Sequence, residues 1–237
     1  MKNVYVFDVD GTLTPSRLTI DPEFEEFFYN WMQDKHVIFV TGSDSPKTIE
    51  QIGERIWNSA YVCMQSCGNQ IFKNGEEVYK IDWGPSFELI EYLNQLLSES
   101  KYSVRTSNFI EPRVGLLNFS IVGRDCTQSQ REHYYKWDSK SGERLEFARK
   151  IMDKFEGIEA SVGGQISIDI HPEGANKSQA KEWILNEFGK DVIIHFFGDK
   201  MDEGGNDYDL AKMLEEPHHK YPVQDWKNTY DYLKLIK

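Results

Sequence analysis

The chain has 237 residues, 14% of them aromatic, and a formal net charge of −12. That length is enough to bury a substantial core, as one large α/β domain or as a core with a second, smaller one. No run of about 18 apolar residues is available to span a membrane, and the acidic balance argues against capture of nucleic acid, which needs a clustered basic face.

In chain order the first element is VYVF, residues 4 to 7. Its unbroken apolar run reads as a central strand of a parallel sheet, buried on both faces. It runs directly into Asp8-Val9-Asp10-Gly11-Thr12, so two carboxylates stand at the C-terminal strand end, where such sheets bind ligands. A strand beginning at Asn3 leaves no room for a signal peptide, and the expected location is the cytoplasm. Asp21-Pro22 supplies a helix N-cap followed by proline at the first helical position. Phe24, Phe27, Phe28 and Trp31 then fall at helical spacing as a core stripe. A second apolar strand, VIFV at 37 to 40, leads into Thr41-Gly42-Ser43-Asp44, and Ser45-Pro46 starts a helix whose Ile49, Ile52 and Ile56 share a face. AYVCM adds a third strand, and this βαβα alternation implies a parallel sheet. Asn74-Gly75 between extended flanks predicts a type I′ hairpin that ends the parallel pattern.

From residue 80 to 172 the texture changes. A helix at PSFELIEYLNQLL is followed by extended runs at YSVRT and GLLNFSIV, a helical stretch from Gln128 to Phe155, and an alternating strand at QISIDI. This reads as a separate α+β insert. In its last strand Ile166, Ile168 and Ile170 form a core face, which leaves Ser167 and Asp169 on the opposite side. The first texture then resumes with the helix NKSQAKEWILNEF, the strand VIIHFF, the acidic loop GDKMDEGGNDYD and a last helix near Asp225 to Ile236. The expected organisation is a core formed by 1–79 and 173–237, interrupted by a cap at 80–172. Cys63, Cys67 and Cys126 make no metal or disulfide pattern and are expected to be free thiols. His218-His219, in a polar stretch, is expected in an exposed loop.

A D-x-D pair alone is a weak signal, but its setting sharpens it. Thr41 to Asp44, Lys177 and Gly198-Asp199 return in order at later strand ends. Taken singly, Asp10-Gly11 is an ordinary turn, Lys177 a solvated residue in a helix's first turn and Asp199 a loop acid. Together they resemble the haloacid dehalogenase-like phosphotransferase superfamily, whose Rossmann-like parallel-sheet α/β core carries an inserted cap. The chemistry agrees. Asp8 is suited to attack phosphorus and form an aspartyl phosphate. Mg²⁺ held by Asp8, the backbone carbonyl of Asp10 and Asp199, with Asp207 supporting it, would let two anions meet. Lys177 and the hydroxyl of Thr41 or Ser43 would hold the transferring oxygens, with Asp10 as general acid and then base.

NFIEPRVGLLNFSIVGRDCTQSQR (108 to 131), GGQISIDIHPEGANKSQA (163 to 180) and HFFGDKMDEGGNDYD (195 to 209) narrow this further. With FDVDGTLT they closely resemble eukaryotic-type phosphomannomutases over nearly the whole chain. The resemblance implies interconversion of mannose 6-phosphate and mannose 1-phosphate, a supply of GDP-mannose precursor, hexose 1,6-bisphosphate as activator, and a homodimer formed through the cap with Phe109 at its interface. It also implies that Arg17, Arg113, Arg124, Arg131, Ser167 and Asp169 contact substrate. Three of the chain's eight arginines lie between 113 and 131, which suits a local anion site. The ordinary reading of those arginines is pairing with surface acids, and that of Ser167 and Asp169 is a solvated strand face. The sequence departs from the family at Pro112 and Val114 beside Arg113, and at QSCGN in the loop after the third strand. The rival functions are a sugar-phosphate phosphatase on the same scaffold and an inactive binding protein.

Overall fold

In the computed structural model, which describes residues 2–236, the chain builds two sheets. The first is assembled from β1 (Asn3–Phe7), β2 (His36–Val40), β3 (Val62–Gln65), β4 (Gln70–Lys73) and β5 (Glu76–Lys80), joined by strands contributed much later in the sequence. The second contains β6 (Ile110–Arg113), β7 (Leu116–Ser120), β8 (Ile158–Gly163) and β9 (Ser167–Pro172), all antiparallel in the order β6-β7-β9-β8. The chain then returns to the first sheet with β10 (Ile193–Gly198) and β11 (His219–Pro222). That sheet runs β11-β10-β1-β2-β3-β4-β5, parallel as far as β3 and antiparallel beyond it.

The apolar runs sort by alternation. Tyr5, Phe7, Val37, Phe39 and Phe197 face α1 (Pro22–Met32), α2 (Ser45–Ser59) and, from the end of the chain, the helix Trp226–Leu235. Val4, Val6, Ile38, Val40, Ile194 and Phe196 face the opposite layer, which includes Ala180 and Ile184. With both faces covered, only the strand ends are free to carry polar chemistry. Asp21 caps α1 as expected, accepting from the backbone of Glu23 at 3.0 Å and Phe24 at 3.2 Å. Asn74 (φ 54°) and Gly75 (φ 79°) make the hairpin turn between β4 and β5, where the type I′ geometry demands positive φ at both positions.

The second sheet packs one face on α3 (Phe87–Glu99), α4 (Gln128–Ser141) and α5 (Glu143–Lys154), burying Ile166, Ile168 and Ile170 among Leu93, Phe119, Tyr134 and Phe147. Several sequence expectations need correction. Residues 102 to 106 form no strand, because the Arg105 guanidinium is drawn to carbonyls around the end of α3, at 3.3 Å to Leu97 and 3.4 Å to Ser100. The helical stretch 128 to 155 is two helices, separated by a backbone turn at Gly142 (φ 68°). The helix placed at 176 to 188 is α6 (Gln179–Phe188), since the Asn176 side chain accepts from Ser178 N at 2.8 Å and shapes a turn before it. The short helix α7 (Tyr208–Met213) and the strands β8 and β11 were not anticipated, being short or polar, and the last helix, α8, is Trp226–Leu235. His218 and His219 are not simply exposed loop. His219 opens β11, and His218 Nδ1 accepts from Ile194 N at 3.2 Å, so the pair secures a sheet edge. Cys63, Cys67 and Cys126 are free thiols. Among the described residues no helix is long and apolar enough to cross a membrane.

Candidate active site

Asp8 is the first residue past β1, and its N–H to the Phe197 carbonyl (3.0 Å) extends the pairing with β10. Its carboxylate, 3% exposed, meets Lys177 Nζ at 2.6 Å and the Thr12 hydroxyl at 3.2 Å. The same ammonium reaches Asp207 at 2.7 Å, and both Lys177 and Asp207 are fully buried. Burial opposes the charge on Lys177, but Asp207 and Asp8 outweigh it and hold the ammonium above its ordinary pKa. Burial pushes the Asp8 carboxyl up, Lys177 pulls it down, and Asp207 and Asp199 add to the rise.

Asp10 lies two residues further along. Its Oδ1 accepts from Arg17 N at 2.6 Å and from Gln51 Nε2 at 2.8 Å, while the Ser43 hydroxyl stands 3.5 Å from Oδ2. Thr41, buried at the end of β2, accepts from Ser43 N at 3.1 Å, which leaves its own O–H free to donate.

The second sheet supplies the opposite wall. Ser167 and Asp169 are buried rather than solvated: Asp169 accepts from Asn118 at 2.7 Å and Ser167 from Arg124 at 2.8 Å. Arg113 crosses between the sheets, donating through Nη1 to the Gly42 carbonyl and through Nε to Glu111 at 2.8 Å. Glu111 also receives Arg124 at 3.2 Å. Burial works against the Glu111 charge, yet Arg113 and Arg124 prevail and bring its pKa down to about 2. Burial, with Arg113 and Arg17 nearby, lowers Arg124 to about 10, and Arg124 Nη2 is buried without a partner. Pairing with an acid thus holds for Arg113 and Arg124 but not for Arg131. Arg131 is 6% exposed, and among the described residues its side chain has no ion pair.

All of these groups line one cavity: Asp8, Asp10, Thr41, Ser43 and Asp199 from one side, and Arg113, Arg124, Arg131, Ser167 and Asp169 from the other, with Arg17 at its edge. Its free volume is about 30 Å³, the space of a single water. Of the expected site residues, Lys177 and Asp207 stand behind the wall rather than in it. Asp207 supports Lys177 and accepts from Lys200 N at 3.0 Å.

Asp8, Asp199 and Asp207 each offer an oxygen, and these three atoms lie within 4.8 Å of one another. Burial pushes Asp199 up to about 6, with Lys200 lowering it and Asp207 raising it. Clustered buried carboxylates with an all-oxygen donor set fit a hard divalent cation.

Sequence reasoning missed Gln51, Glu111, Asn118 and Arg144. Arg144 pairs with Asp138 at 2.7 Å and donates to the carbonyls of Gly163, Gly164 and Ser167 at 3.1 to 3.2 Å, which fixes the turn before β9. Gln51 and Asn118 act through partners remote in sequence, 41 and 51 residues away. Only the tight grouping of arginine and glutamate at 111 to 113 offered a local signal.

A parallel sheet with an aspartate at its central strand end, a buried lysine and an acidic loop is an arrangement whose fold recurs among solved structures. A haloacid dehalogenase-like hydrolase from Bacteroides thetaiotaomicron superposes over the whole of both chains with a TM-score of 0.62 at 15% identity. The trehalose-6-phosphate phosphatase C-terminal domain of C. albicans does so over 99% of this chain and 91% of its own, with a TM-score of 0.60 at 14% identity. These likenesses establish the fold. The family model for eukaryotic phosphomannomutase matches residues 24–236, and the chain belongs to that family. A phosphomannomutase of Dendrobium officinale is 35% identical, with 98% of this chain and 93% of the relative aligned. One of Arabidopsis thaliana is 33% identical over 94% and 92%, and a probable phosphomannomutase of Caenorhabditis elegans is 34% identical over 88% and 86%.

Proposed function

We propose that the protein is a Mg²⁺-dependent phosphomannomutase that interconverts mannose 6-phosphate and mannose 1-phosphate through a phosphoaspartate on Asp8 and a hexose 1,6-bisphosphate, which also serves as activator. One observation carries this reading: a single cavity joins a carboxylate nucleophile at one end to Arg113, Arg124 and Arg131 at the other. A sugar bearing a phosphate at each end needs both. The reading divides the chain into a core, 1–79 and 173–237, and a cap, 80–172.

Mg²⁺ held by Asp8, the Asp10 carbonyl and Asp199, with Asp207 in support, would neutralise charge between nucleophile and phosphate. The chain's own groups do the rest. Asp8 attacks phosphorus. Lys177 steadies the attacking carboxylate and the transferring oxygens, and the Thr41 hydroxyl donates to the phosphate. Asp10 gives a proton to the departing sugar oxygen and recovers one from the acceptor hydroxyl. Arg113, Arg124 and Arg131 hold the phosphate that is not transferred, with Arg17 beside them. Ser167 and Asp169 face the sugar.

A homodimer through the cap is part of the proposal. Phe109 is half-buried and outside the apolar cluster of its own sheet, which leaves its ring for a second copy. A cytoplasmic location fits the three free thiols. The test is incubation with mannose 1-phosphate and glucose 1,6-bisphosphate, with mannose 6-phosphate and free phosphate measured in one tube. Mannose 6-phosphate as the main product is expected. Free phosphate without mannose 6-phosphate identifies a phosphatase instead.

A further inference from the structure

A carboxyl group that delivers a proton must carry it on one particular oxygen, and the surroundings of Asp10 select which. Gln51, 1% exposed, uses both hydrogens of its amide: Nε2 donates to Asp10 Oδ1 at 2.8 Å and to Thr14 Oγ1 at 3.0 Å. The direction is set at both ends. An ionised carboxylate only accepts, and the Thr14 hydroxyl commits its own hydrogen to the Val9 carbonyl at 3.4 Å. Rotating the amide would aim its carbonyl oxygen at Asp10. Held this way, Gln51 Oε1 is buried with no partner. An unpaired buried acceptor works against the fold, so the amide is kept for its N–H groups.

The backbone holds Gln51 as firmly as its side chain does. Helix α2 is interrupted at Gly53 (φ 79°, ψ 152°), a conformation that glycine alone adopts without strain. The Gln51 carbonyl accepts instead from Ile20 N at 2.8 Å. This fastens Gln51 to the loop whose Arg17 N–H makes the second bond to Asp10 Oδ1, at 2.6 Å. Two donors therefore fill the two lone pairs of Oδ1. Among the described residues Oδ2 has one hydrogen-bond partner, the Ser43 hydroxyl at 3.5 Å, the outer limit of a hydrogen bond.

We propose that Gln51 is a positioning residue for the phosphoryl transfer, and that with the Arg17 amide it reserves Asp10 Oδ2 as the oxygen that carries the proton; this rests on the acid–base role proposed for Asp10. When an Asp8 oxygen bonds to phosphorus and the ester P–O bond breaks, the proton on Oδ2 passes to the ester oxygen. The sugar leaves as a neutral hydroxyl and Asp10 is left a carboxylate. In the return half, the acceptor hydroxyl gives its proton to Oδ2 as its oxygen bonds to phosphorus, and Asp8 departs as a carboxylate.

The experiment is a double-mutant cycle on the full chain, with Gln51→Met, Asp10→Asn and both together assayed for mannose 1-phosphate isomerisation. Methionine keeps the length of the side chain and removes both the donors and the orphan oxygen. In the wild-type background Gln51→Met should lower kcat about tenfold or more with KM changed less than about threefold, since misplacing a catalytic group costs rate rather than binding. In the Asp10→Asn background the same change should move kcat by less than about twofold, the non-additivity expected of residues acting as one unit. Equal losses in both backgrounds would show a purely structural residue and overturn the proposal. An Asp10→Asn protein as fast as wild type would overturn the acid–base reading instead, and that is visible in its own arm. Gln51→Leu, which removes the donors without adding charge, runs through the same cycle to cover poor folding of Gln51→Met, with the same expected pattern.

Discussion

Lys177 is the residue around which the charge of the site balances, because its ammonium is the buried counter-ion of both Asp8 and Asp207. Lys177→Met should therefore unfold more easily by about 3–5 kcal/mol, the scale for leaving buried charge uncompensated; denaturant melts check it, and unchanged stability would place the lysine outside this network. Asp8→Asn has the opposite profile. It keeps the shape of the side chain and the fold but loses the nucleophile, so phosphoenzyme should vanish and turnover with it. Residual activity within about tenfold of wild type would remove Asp8 from that role, given how much covalent catalysis contributes. At this scale Asp8, Asp10 and Asp199 were legible because each follows a core strand in a recognisable order, whereas Lys177 stands in the turn before α6 and was legible only from the company it keeps. Gln51 and Asn118 were not. A neutral amide in a helix or strand looks like any polar residue until the fold places its partner, which lies 41 residues from Gln51 and 51 from Asn118.

Among the elements, the junction of α4 and α5 shows why helical spacing alone misled. Residues 128 to 155 carry helix formers throughout, but the break at Gly142 turns Arg144 back to pair with Asp138 and to clasp the turn at 163 to 167. Arg144→Leu should destabilise the protein by about 3–5 kcal/mol through the Asp138 charge it strands, and should raise KM by loosening Ser167. A melt and a substrate titration read the two effects separately. At the other end of the core sheet, β10 and β11 stack His195 on Tyr5 and His219, with ring centroids 4.8 Å apart in each pair. Burial, with His219 and His218 close by, lowers His195 to about 4, while Tyr221 and Asn3 contact its nitrogens. The unfolded chain binds this proton more readily than the native one. The His195 contribution to stability should thus fall as the pH drops from the ordinary histidine value near 6.5 towards 4, and change no further below. His195→Phe should show a flatter dependence of Tm on pH across that window. An identical slope in the variant would assign the titration elsewhere. The short polar strand β11 was hidden in the sequence, since its four residues gain their pairing only from β10.

For the whole molecule, the decisive feature is that an acidic chain concentrates cations in a narrow cavity between its two sheets. Arg113 bonds the second sheet to Gly42 of the first, and Val162 N reaches the Gly204 carbonyl at 2.7 Å on another side. With about 30 Å³ free, the cavity is narrower than a ligand pocket of the usual several hundred Å³, so binding a hexose phosphate on the proposed function would need the sheets to part and then close. Arg131 belongs to this closed state in an unusual way. Among the described residues its buried guanidinium is in no ion pair, and burial lowers its pKa, so before substrate arrives it opposes the fold. On the proposed function, bound phosphate would supply the missing anion, and that binding energy would drive closure and keep water from the phosphoaspartate. Arg131→Leu should then separate stability from function: Tm unchanged or higher, with transition-state binding weaker by roughly 2–5 kcal/mol, the scale for truncating a buried charge pair. The ratio of free phosphate to mannose 6-phosphate should rise, because a lid with a weaker grip admits water to Asp8. Thermal melts together with both products from one reaction decide it. A variant that loses stability and keeps the wild-type product ratio would make Arg131 a packing residue, and the phosphate grip would then rest on Arg113 and Arg124.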